Sequence, residues 1–248
     1  MLWMPAAPIH FVSGLKIPLI ISGAALAHAA YTSPTLPPSP TETKRYIKGD
    51  PHWAVAWPIL VGIIKLLHWT YACGESTVII ANLFPSSTSS GVLRRLVRRG
   101  FSAATVRPTT TTLMGWALLC AGGLLRIASY RELGQFFTFT LAIKDNHHLV
   151  TTGPYEVVRH PGYTGLVLVM VGTVLSHVGK GSWFREAGWL STTGGKTLAL
   201  FWLANMAWIS ERVATRVGQE DEALRNQFPS EWERYAQRTP YRLVPFIY

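Results

Sequence analysis

Long apolar stretches separated by short polar segments dominate the chain. Residues 9–31, 53–73 and 111–130 are each apolar and long enough to cross a bilayer, because a spanning helix needs about twenty mostly apolar residues. Two later apolar stretches, 165–177 and 190–209, are predicted to form a hairpin that crosses only in part. The pattern predicts an all-α fold, a polytopic integral membrane helical bundle with about five to six membrane segments.

Polar or proline-rich segments separate these stretches. Residues 32–50 contain four prolines and form a predicted linker. Residues 77–84 are apolar but too short to cross alone, and 211–227 form a predicted polar helix that stops before Pro229. Lys16 and the apolar residues after it resemble a signal peptide. Because apolar residues also precede Lys16, an uncleaved first span is expected.

Arginines are concentrated in residues 91–107. The segment contains no acidic residue and five arginines: Arg94, Arg95, Arg98, Arg99 and Arg107. The spacing of Leu93, Leu96 and Val97 gives an apolar helical face beside them. This pattern favours a helix that lies on the membrane surface, and a solvated basic loop is the equally supported alternative.

Composition agrees with a membrane protein. Charged residues make up only 15% of the chain, whereas soluble domains carry about 25%. The net charge of +10 is compatible with nucleic-acid binding, but the arginines flank apolar stretches, which favours loops that face anionic headgroups. We therefore expect no nucleic-acid partner. Cys73 and Cys120 cannot supply a disulfide framework or a cysteine-based metal site.

A phosphate-binding loop is excluded although residues 191–197 resemble one. The motif requires a glycine five residues before Gly195, where this chain has Leu190, and it follows a strand. The sequence also lacks the glycine cluster of dinucleotide-binding domains. A soluble nucleotide-binding domain is therefore not supported.

A dense polar run occupies residues 147–163. It carries three histidines, an arginine and two tyrosines: His147, His148, His160, Arg159, Tyr155 and Tyr163. Gly153-Pro154 marks a turn, and Pro161 restricts His160 to an extended or turn conformation. Polar groups at membrane depth are costly and usually functional, so the run predicts the lining of a cavity; a membrane-surface loop is the alternative. No metal site is predicted, because adjacent histidines rarely converge and no carboxylate lies at helical spacing.

A second set of polar residues shares one helical face. Arg212, Arg216 and Glu220 follow one another at intervals of four residues. A surface ion pair between Arg216 and Glu220 would explain two of them, but arginine before glutamate is the weaker order, worth at most ~0.5 kcal/mol. The pattern therefore mildly favours a role other than helix support.

Both sets belong to motifs that resemble a known family, the isoprenylcysteine carboxyl methyltransferases. The first motif reads His147-x-Leu149-Val150-Thr151-x-Gly153-x-Tyr155, then Arg159-His160-Pro161-x-Tyr163-x-Gly165. The second reads Arg216-x-x-x-Glu220-Asp221-x-x-Leu224-x-x-x-Phe228-x-x-x-Trp232-x-x-Tyr235, then Arg238-Thr239-Pro240 and Leu243-Val244-Pro245-Phe246-Ile247. The resemblance covers roughly residues 130–248.

The resemblance implies two domains and a cofactor site. Residues 1–130 would form N-terminal transmembrane helices, and 131–248 a methyltransferase core with an S-adenosylmethionine cassette, a helical hairpin and a cytosolic helical tail that completes the site. The implied cofactor contacts are His147, His148, Leu149, Val150, Tyr155, His160, Pro161, Gly162, Tyr163 and Glu220. Arg159, Arg216 and Glu220 are the implied catalytic residues, with Arg216 binding the substrate carboxylate. Asp221 stands where the family often has glutamate.

The implied activity is methylation of the C-terminal isoprenylcysteine carboxylate of prenylated proteins, which gives a methyl ester. The implied partners are prenylated protein C-termini, or a prenylcysteine-like lipid, and the bilayer. Two alternatives stay open: a methyltransferase of similar fold that acts on a small lipid or terpenoid, and an NADPH-dependent enzyme like the sterol reductases.

The implied location is the endoplasmic reticulum membrane, with the active site facing the cytosol. The positive-inside rule places the arginines of 91–107 on the cytosolic side. One span later, residues 147–163 would then lie on the opposite side, although the cofactor is cytosolic. An extra crossing through 77–84, or an interfacial arginine helix, would resolve this conflict.

Overall fold

The computed structural model describes residues 13–36, 51–138 and 147–247, and of residues 51–56 it describes only the backbone. Within these residues the protein is helical, with no strand. The helices are α1 (Lys16–Ala30), α2 (Pro51–Leu83), α3 (Ser87–Leu96), α4 (Thr110–Leu133), α5 (Pro161–Val178), α6 (Trp183–Glu186), α7 (Thr193–Gln227) and α8 (Pro229–Arg238). Much of the predicted linker, from residue 37 to residue 50, lies outside the described residues, as does the start of the first predicted span.

Two helices are longer than their apolar stretches predicted. Helix α2 runs without interruption through residues 77–83, so nearly all of the stretch 77–84 extends the second helix and does not form a separate segment. Helix α7 joins the predicted stretches 190–209 and 211–227 into 35 residues. Near Glu211 the residues change from apolar to charged, but no proline occurs there to break the helix. The two parts of this one helix therefore lie in different environments.

The arginine-rich segment differs from its prediction. Helix α3 begins at Ser87, where the side chain of the N-cap residue Ser86 accepts a hydrogen bond from the Ser89 amide, and it ends at Leu96. Residues 97–107 are not a continuation of it; a 3-10 turn at Ala103–Thr105 is their only helical part. The prediction of a helix to residue 107 was therefore wrong in its second half.

Among the described residues, two helical stretches are long and apolar enough to cross a membrane, Thr110–Phe136 and Pro161–Glu186. The apolar helix α1 is shorter than a full span. The all-helical class is thus confirmed, together with two membrane-capable stretches, and the larger number of five to six crossings stays a prediction.

The chain divides into two compact units that interleave along the sequence. Unit 1 contains the described part of Met1–Ala27, with Leu66–Cys120 and Met170–Met206. Its core includes Val78 and Val106, both fully buried. A buried ion pair between Lys16 and Glu75 ties α1 to α2 in this unit, so Lys16 has a packing role that its signal-peptide-like setting did not reveal.

Unit 2 contains the described parts of His28–Lys65, Ala121–Val169 and Ala207–Tyr248. Gly122 of α4 and Gly165 of α5 face each other so closely that a Cβ added at Gly122 would lie 2.6 Å from the Gly165 carbonyl oxygen. Small residues of this kind let helix backbones approach closely. The close packing brings the end of α4 and the start of α5 together around the candidate site.

The tail of the chain returns to the start of α5 within unit 2. The Arg159 and His160 amides donate to the carbonyl oxygens of Tyr241 and Arg242, each at 2.9 Å. The Thr164 hydroxyl donates to the Leu243 carbonyl at 2.6 Å. These bonds fix residues 241–243 against the polar run that the sequence singled out.

Candidate active site

A cavity in unit 2 is enclosed by α4, by residues that precede and begin α5, by α7 and by α8. Arg126, His160, Tyr163, Arg216 and Glu220 are among its lining residues. Most of the wall is apolar, with the charged groups on a few positions. Sites that are largely apolar with a small number of placed polar groups are typical of ligand pockets.

Local sequence explains how the polar run reaches this cavity. Pro154 lies in a 3-10 turn, Gly153–Glu156, which begins after Thr152. Gly153 has φ +60°, a backbone conformation that glycine adopts without strain. Pro161 is the first residue of α5, a position where its missing N–H costs nothing. The imidazole of His160 is therefore held just outside the helix start, and it is 6% exposed.

Asp221 is the hub of the charged cluster. Its Oδ2 accepts from Nη2 of Arg159 at 3.1 Å and lies 3.3 Å from Nε of Arg242. Its Oδ1 lies 2.9 Å from Nε2 of His160. One carboxylate on α7 therefore binds the turn before α5 and the tail of the chain at once.

Glu220, the next residue, faces a different set of groups. Its Oε1 accepts from the Tyr163 hydroxyl at 2.5 Å and from Nη2 of Arg216 at 3.3 Å. Its Oε2 lies 3.4 Å from Nδ1 of His160. Each ring nitrogen of His160 thus faces a carboxylate, and both can donate only when the ring is an imidazolium.

The electrostatics of the cluster agree with this charge assignment. Burial lowers the pKa of His160, but its hydrogen bonds with Asp221 and Glu220 outweigh burial and raise the pKa above its ordinary value. Burial raises the pKa of Glu220, but the hydrogen bond with His160 and the charge of Arg216 outweigh it and lower the pKa. The pKa of Asp221 is lowered for the same reason, through His160 and Arg159. The cluster therefore consists of two carboxylates facing cations.

These shifts predict how stability depends on pH. Because the folded-state pKa of His160 is raised, its stabilisation is fully present below its unfolded pKa of about 6.5 and is lost as pH rises through the folded value. We expect His160→Gln to lower the melting temperature at pH 6 and to approach the wild type as pH rises to 9. His148→Gln, at an exposed position, is the control. A difference between His160→Gln and wild type that grew with pH would contradict the prediction.

The structure brings most of the predicted cofactor residues to one cavity. Eight of the ten line it: His147, Leu149, Val150, Tyr155, His160, Gly162, Tyr163 and Glu220. His148 does not line it, since its ring is exposed and lies edge-on to Phe136. Pro161 is buried and begins α5. The contacts of all ten with a cofactor stay predictions.

The three predicted catalytic residues also line the cavity, but Arg159 differs from the other two. Its Nη1 donates to the carbonyl oxygens of Thr239 and Pro240 at 2.9 and 2.8 Å, and its Nη2 donates to Asp221. With its guanidinium engaged in this way, Arg159 is placed to hold the tail. Arg216 pairs with Glu220 at 3.3 Å, and its role in binding a substrate carboxylate stays a prediction.

Several lining residues were not singled out from the sequence. Arg126 of α4 is 3% exposed, and it donates to the carbonyl oxygens of Ala30 and Gly162, both at 2.7 Å. An arginine inside an apolar stretch is itself a signal of function, so the sequence could have revealed it. Phe136 and Phe137 also line the cavity, and no sequence pattern distinguishes them from other apolar residues.

Comparisons with known proteins agree with the motifs. A family model described as phospholipid methyltransferase matches residues 110–184. Protein-S-isoprenylcysteine O-methyltransferase B of Arabidopsis thaliana is 27% identical over 135 residues, which are 54% of this chain and 58% of the relative. Protein-S-isoprenylcysteine O-methyltransferase of Schizosaccharomyces pombe is 31% identical over 132 residues, which are 52% of this chain and 47% of the relative.

The matches cover about half of this chain, and the chain spans about half to three fifths of the length of these relatives. No solved structure matches it. The resemblance indicated by the two motifs is confirmed by these relatives. The chain is similar, over about half of its length, to protein-S-isoprenylcysteine O-methyltransferases.

Proposed function

We propose that this protein transfers a methyl group from S-adenosylmethionine to the C-terminal carboxylate of isoprenylcysteine in prenylated proteins. The observation that carries the proposal is the pairing of Glu220 with Arg216 and Tyr163 in the wall of a mostly apolar cavity. These residues belong to the two motifs shared with the isoprenylcysteine family. In this proposal Arg216 binds the substrate carboxylate, and Glu220 beside it faces the cationic methyl donor.

The donor set fits S-adenosylmethionine. This methyl donor carries a sulfonium, an ammonium and a carboxylate on a nucleoside. Glu220 has a lowered pKa and therefore stays anionic at neutral pH, which complements the cationic groups. Tyr155, Phe136 and Phe137 supply aromatic surface in the same cavity. When bound, the group would supply an electrophilic methyl on a good leaving group.

For this methyl transfer the protein mainly has to position the two reactants. A carboxyl group with a pKa of about 3.5 is already ionised at neutral pH, so no general base is required. In the transfer, a carboxylate oxygen forms a bond to the methyl carbon while the bond from sulfur to that carbon breaks, which leaves a neutral thioether. The residues of the site therefore act by positioning two oppositely charged reactants and excluding water.

Arg216 orients the carboxylate in this proposal. A guanidinium can bind a carboxylate through paired hydrogen bonds that fix its direction. The charge of Arg216 is already shared with Glu220 at 3.3 Å, and this sharing limits how strongly it withdraws charge from the attacking oxygen. Arg159 and Asp221 hold the surrounding backbone and do not need to touch either reactant.

The membrane setting completes the proposal. The two membrane-capable stretches support a protein in which the prenyl chain lies among apolar residues while the polar end reaches the cavity. We extend the proposal to an endoplasmic reticulum location with the site facing the cytosol, and to five or six membrane segments. The division into helices of 1–130 and a catalytic core of 131–248 belongs to the same proposal.

A methyl-transfer assay tests the proposal directly. The purified full chain is incubated with radiolabelled S-adenosylmethionine and either N-acetyl-S-farnesylcysteine or unprenylated N-acetylcysteine. We expect a base-labile methyl ester with the prenylated acid, at least about 100-fold faster than with the other, and no effect of added NADPH. The absence of base-labile product from the prenylated acid would overturn the proposal.

A lipid amine is the second candidate substrate, favoured by the family model described as phospholipid methyltransferase. An amine is protonated at neutral pH and must lose a proton before it attacks, so its methylation would rise with pH. Phosphatidylethanolamine in the same assay separates the two candidates. Label that is stable to base and extracts with the lipid would favour this second function.

A further inference from the structure

A basic surface in unit 1 has no role in the proposed chemistry. It comprises Arg94 and Arg95 on α3 together with Arg98 and Arg99 in the turn that follows, and it is called here the arginine surface. All four side chains are exposed. Among the described residues, none of the four forms an ion pair with an acidic side chain. Between Glu75 and Glu132 the sequence contains no acidic residue.

The apolar side of α3 is already used by the protein. Leu93, Leu96 and Val97 pack against the core cluster that includes Val78 and Ala103. The helix is therefore not free to insert this face between lipids, as the amphipathic pattern alone had suggested. The exposed side of α3 carries the charged side chains of Arg94 and Arg95.

The turn that carries Arg98 and Arg99 is held firmly. The Arg98 amide donates to the Ala187 carbonyl at 3.0 Å, and the Phe101 amide closes the turn on the Arg98 carbonyl at 3.1 Å. Gly100 supplies the required positive φ of +85°. The indole N–H groups of Trp183 and Trp189 both donate to the Leu96 carbonyl, at 2.9 and 3.0 Å. The arginines thus project from a fixed backbone, which reduces the entropy lost on binding.

Two exposed phenylalanines flank the arginine surface. Phe84 precedes α3 and is 69% exposed, and Phe101 follows the turn and is 46% exposed. Exposed phenylalanine together with lysine or arginine is typical of segments that bind at the membrane–water interface. Arginine binds phosphate through paired hydrogen bonds. The four arginines and the two exposed phenylalanines are therefore complementary to the headgroup layer of an anionic bilayer.

We propose that the arginine surface is a docking site for the phosphate headgroups of anionic phospholipids in the bilayer that surrounds the protein. It is a second interaction site of the chain, independent of the cavity in unit 2 and of its chemistry. Each arginine near an anionic surface adds to the attraction for it. We therefore expect the four together to select anionic over zwitterionic lipid by at least about tenfold.

The test compares lipid retention by two charge-matched variants. The full chain is reconstituted in nanodiscs of phosphatidylcholine with about one third phosphatidylserine, extracted, and analysed by native mass spectrometry for bound lipid. We expect R94Q/R95Q/R98Q/R99Q to retain at least about tenfold less phosphatidylserine than wild type. The control R131Q/R225Q/R234Q/R238Q removes the same charge from other exposed arginines and should retain lipid as wild type does.

Two further measurements separate the proposal from misfolding and from general anion binding. The variant R94K/R95K/R98K/R99K keeps the charge and should keep most of the retention. Raising the salt from about 0.1 to 1 M should release the lipid from wild type, because screening shortens from about 10 to 3 Å. Equal retention by the glutamine variant and its control, or release of the lipid by millimolar inorganic phosphate, would overturn the proposal.

Discussion

Replacing Arg216 with alanine is expected to reduce kcat/KM for the prenylated acid by about three orders of magnitude. Loss of one preorganised electrostatic contact costs about 10²–10³ in rate, and poor orientation of the nucleophile adds to that loss. The guanidinium lines the cavity and pairs with Glu220, which would become a carboxylate without its cation. Radiolabelled methyl transfer measures the effect.

Arg225 offers a control on the same helix. It is exposed and pairs with Glu233, so Arg225→Ala should leave turnover within about twofold of wild type, as surface substitutions away from a site usually do. Arg216→Lys should recover little, because an ammonium cannot reproduce paired hydrogen bonds to a carboxylate. Full turnover by Arg216→Ala, with the protein folded, would refute its assignment to the substrate.

Replacing Asp221 with alanine is expected to be the most destabilising single change in the charged cluster. The side chains of Asp221 and Arg159 are each 8% exposed, and removing one partner of a buried ion pair costs about 3–5 kcal/mol. For a chain of this size that corresponds to a fall of about 6–20 °C in melting temperature. Differential scanning fluorimetry in detergent at pH 7 measures it.

The neighbouring acid provides the comparison. Glu222 is exposed, and Glu222→Ala should shift the melting temperature by no more than about 2 °C. In Asp221→Ala, protease should also cut the tail after residue 238 more readily, because Arg159 and Arg242 lose their common partner. A melting temperature equal to that of Glu222→Ala would show that the hub does not hold the tail.

Hydrophobic pattern predicted which parts of the chain are helical but not where helices stop. The apolar pattern predicts residues 77–84 and the charged half of α7 as separate segments, yet residues 77–83 and the charged half of α7 each continue the preceding helix. Helix ends depend on breaking and capping residues more than on hydropathy. The arginine segment is a similar case. Its amphipathic pattern predicts an apolar face that is covered by lipid, whereas in the structure this face packs against the protein core.

Site residues that belong to the two motifs could be predicted from the sequence. Roles that depend on contacts between distant parts of the chain could not. His160, Tyr163, Arg216 and Glu220 came from spacing and resemblance, and the structure brings them into one cavity. The hub role of Asp221 could not be foreseen, because it joins residues 62 positions before it and 21 after it. Sequence periodicity reports neighbours on one helix, whereas those contacts depend on how the helices and the tail pack.

The return of the tail to the start of α5 has a consequence for biosynthesis. The backbone amides of Arg159 and His160 donate to the carbonyl oxygens of Tyr241 and Arg242, some eighty residues later in the chain. While the ribosome is still translating α7, the turn before α5 has been made but lacks these acceptors. The candidate cavity can therefore reach its final shape only after residues 241–243 have left the ribosomal tunnel.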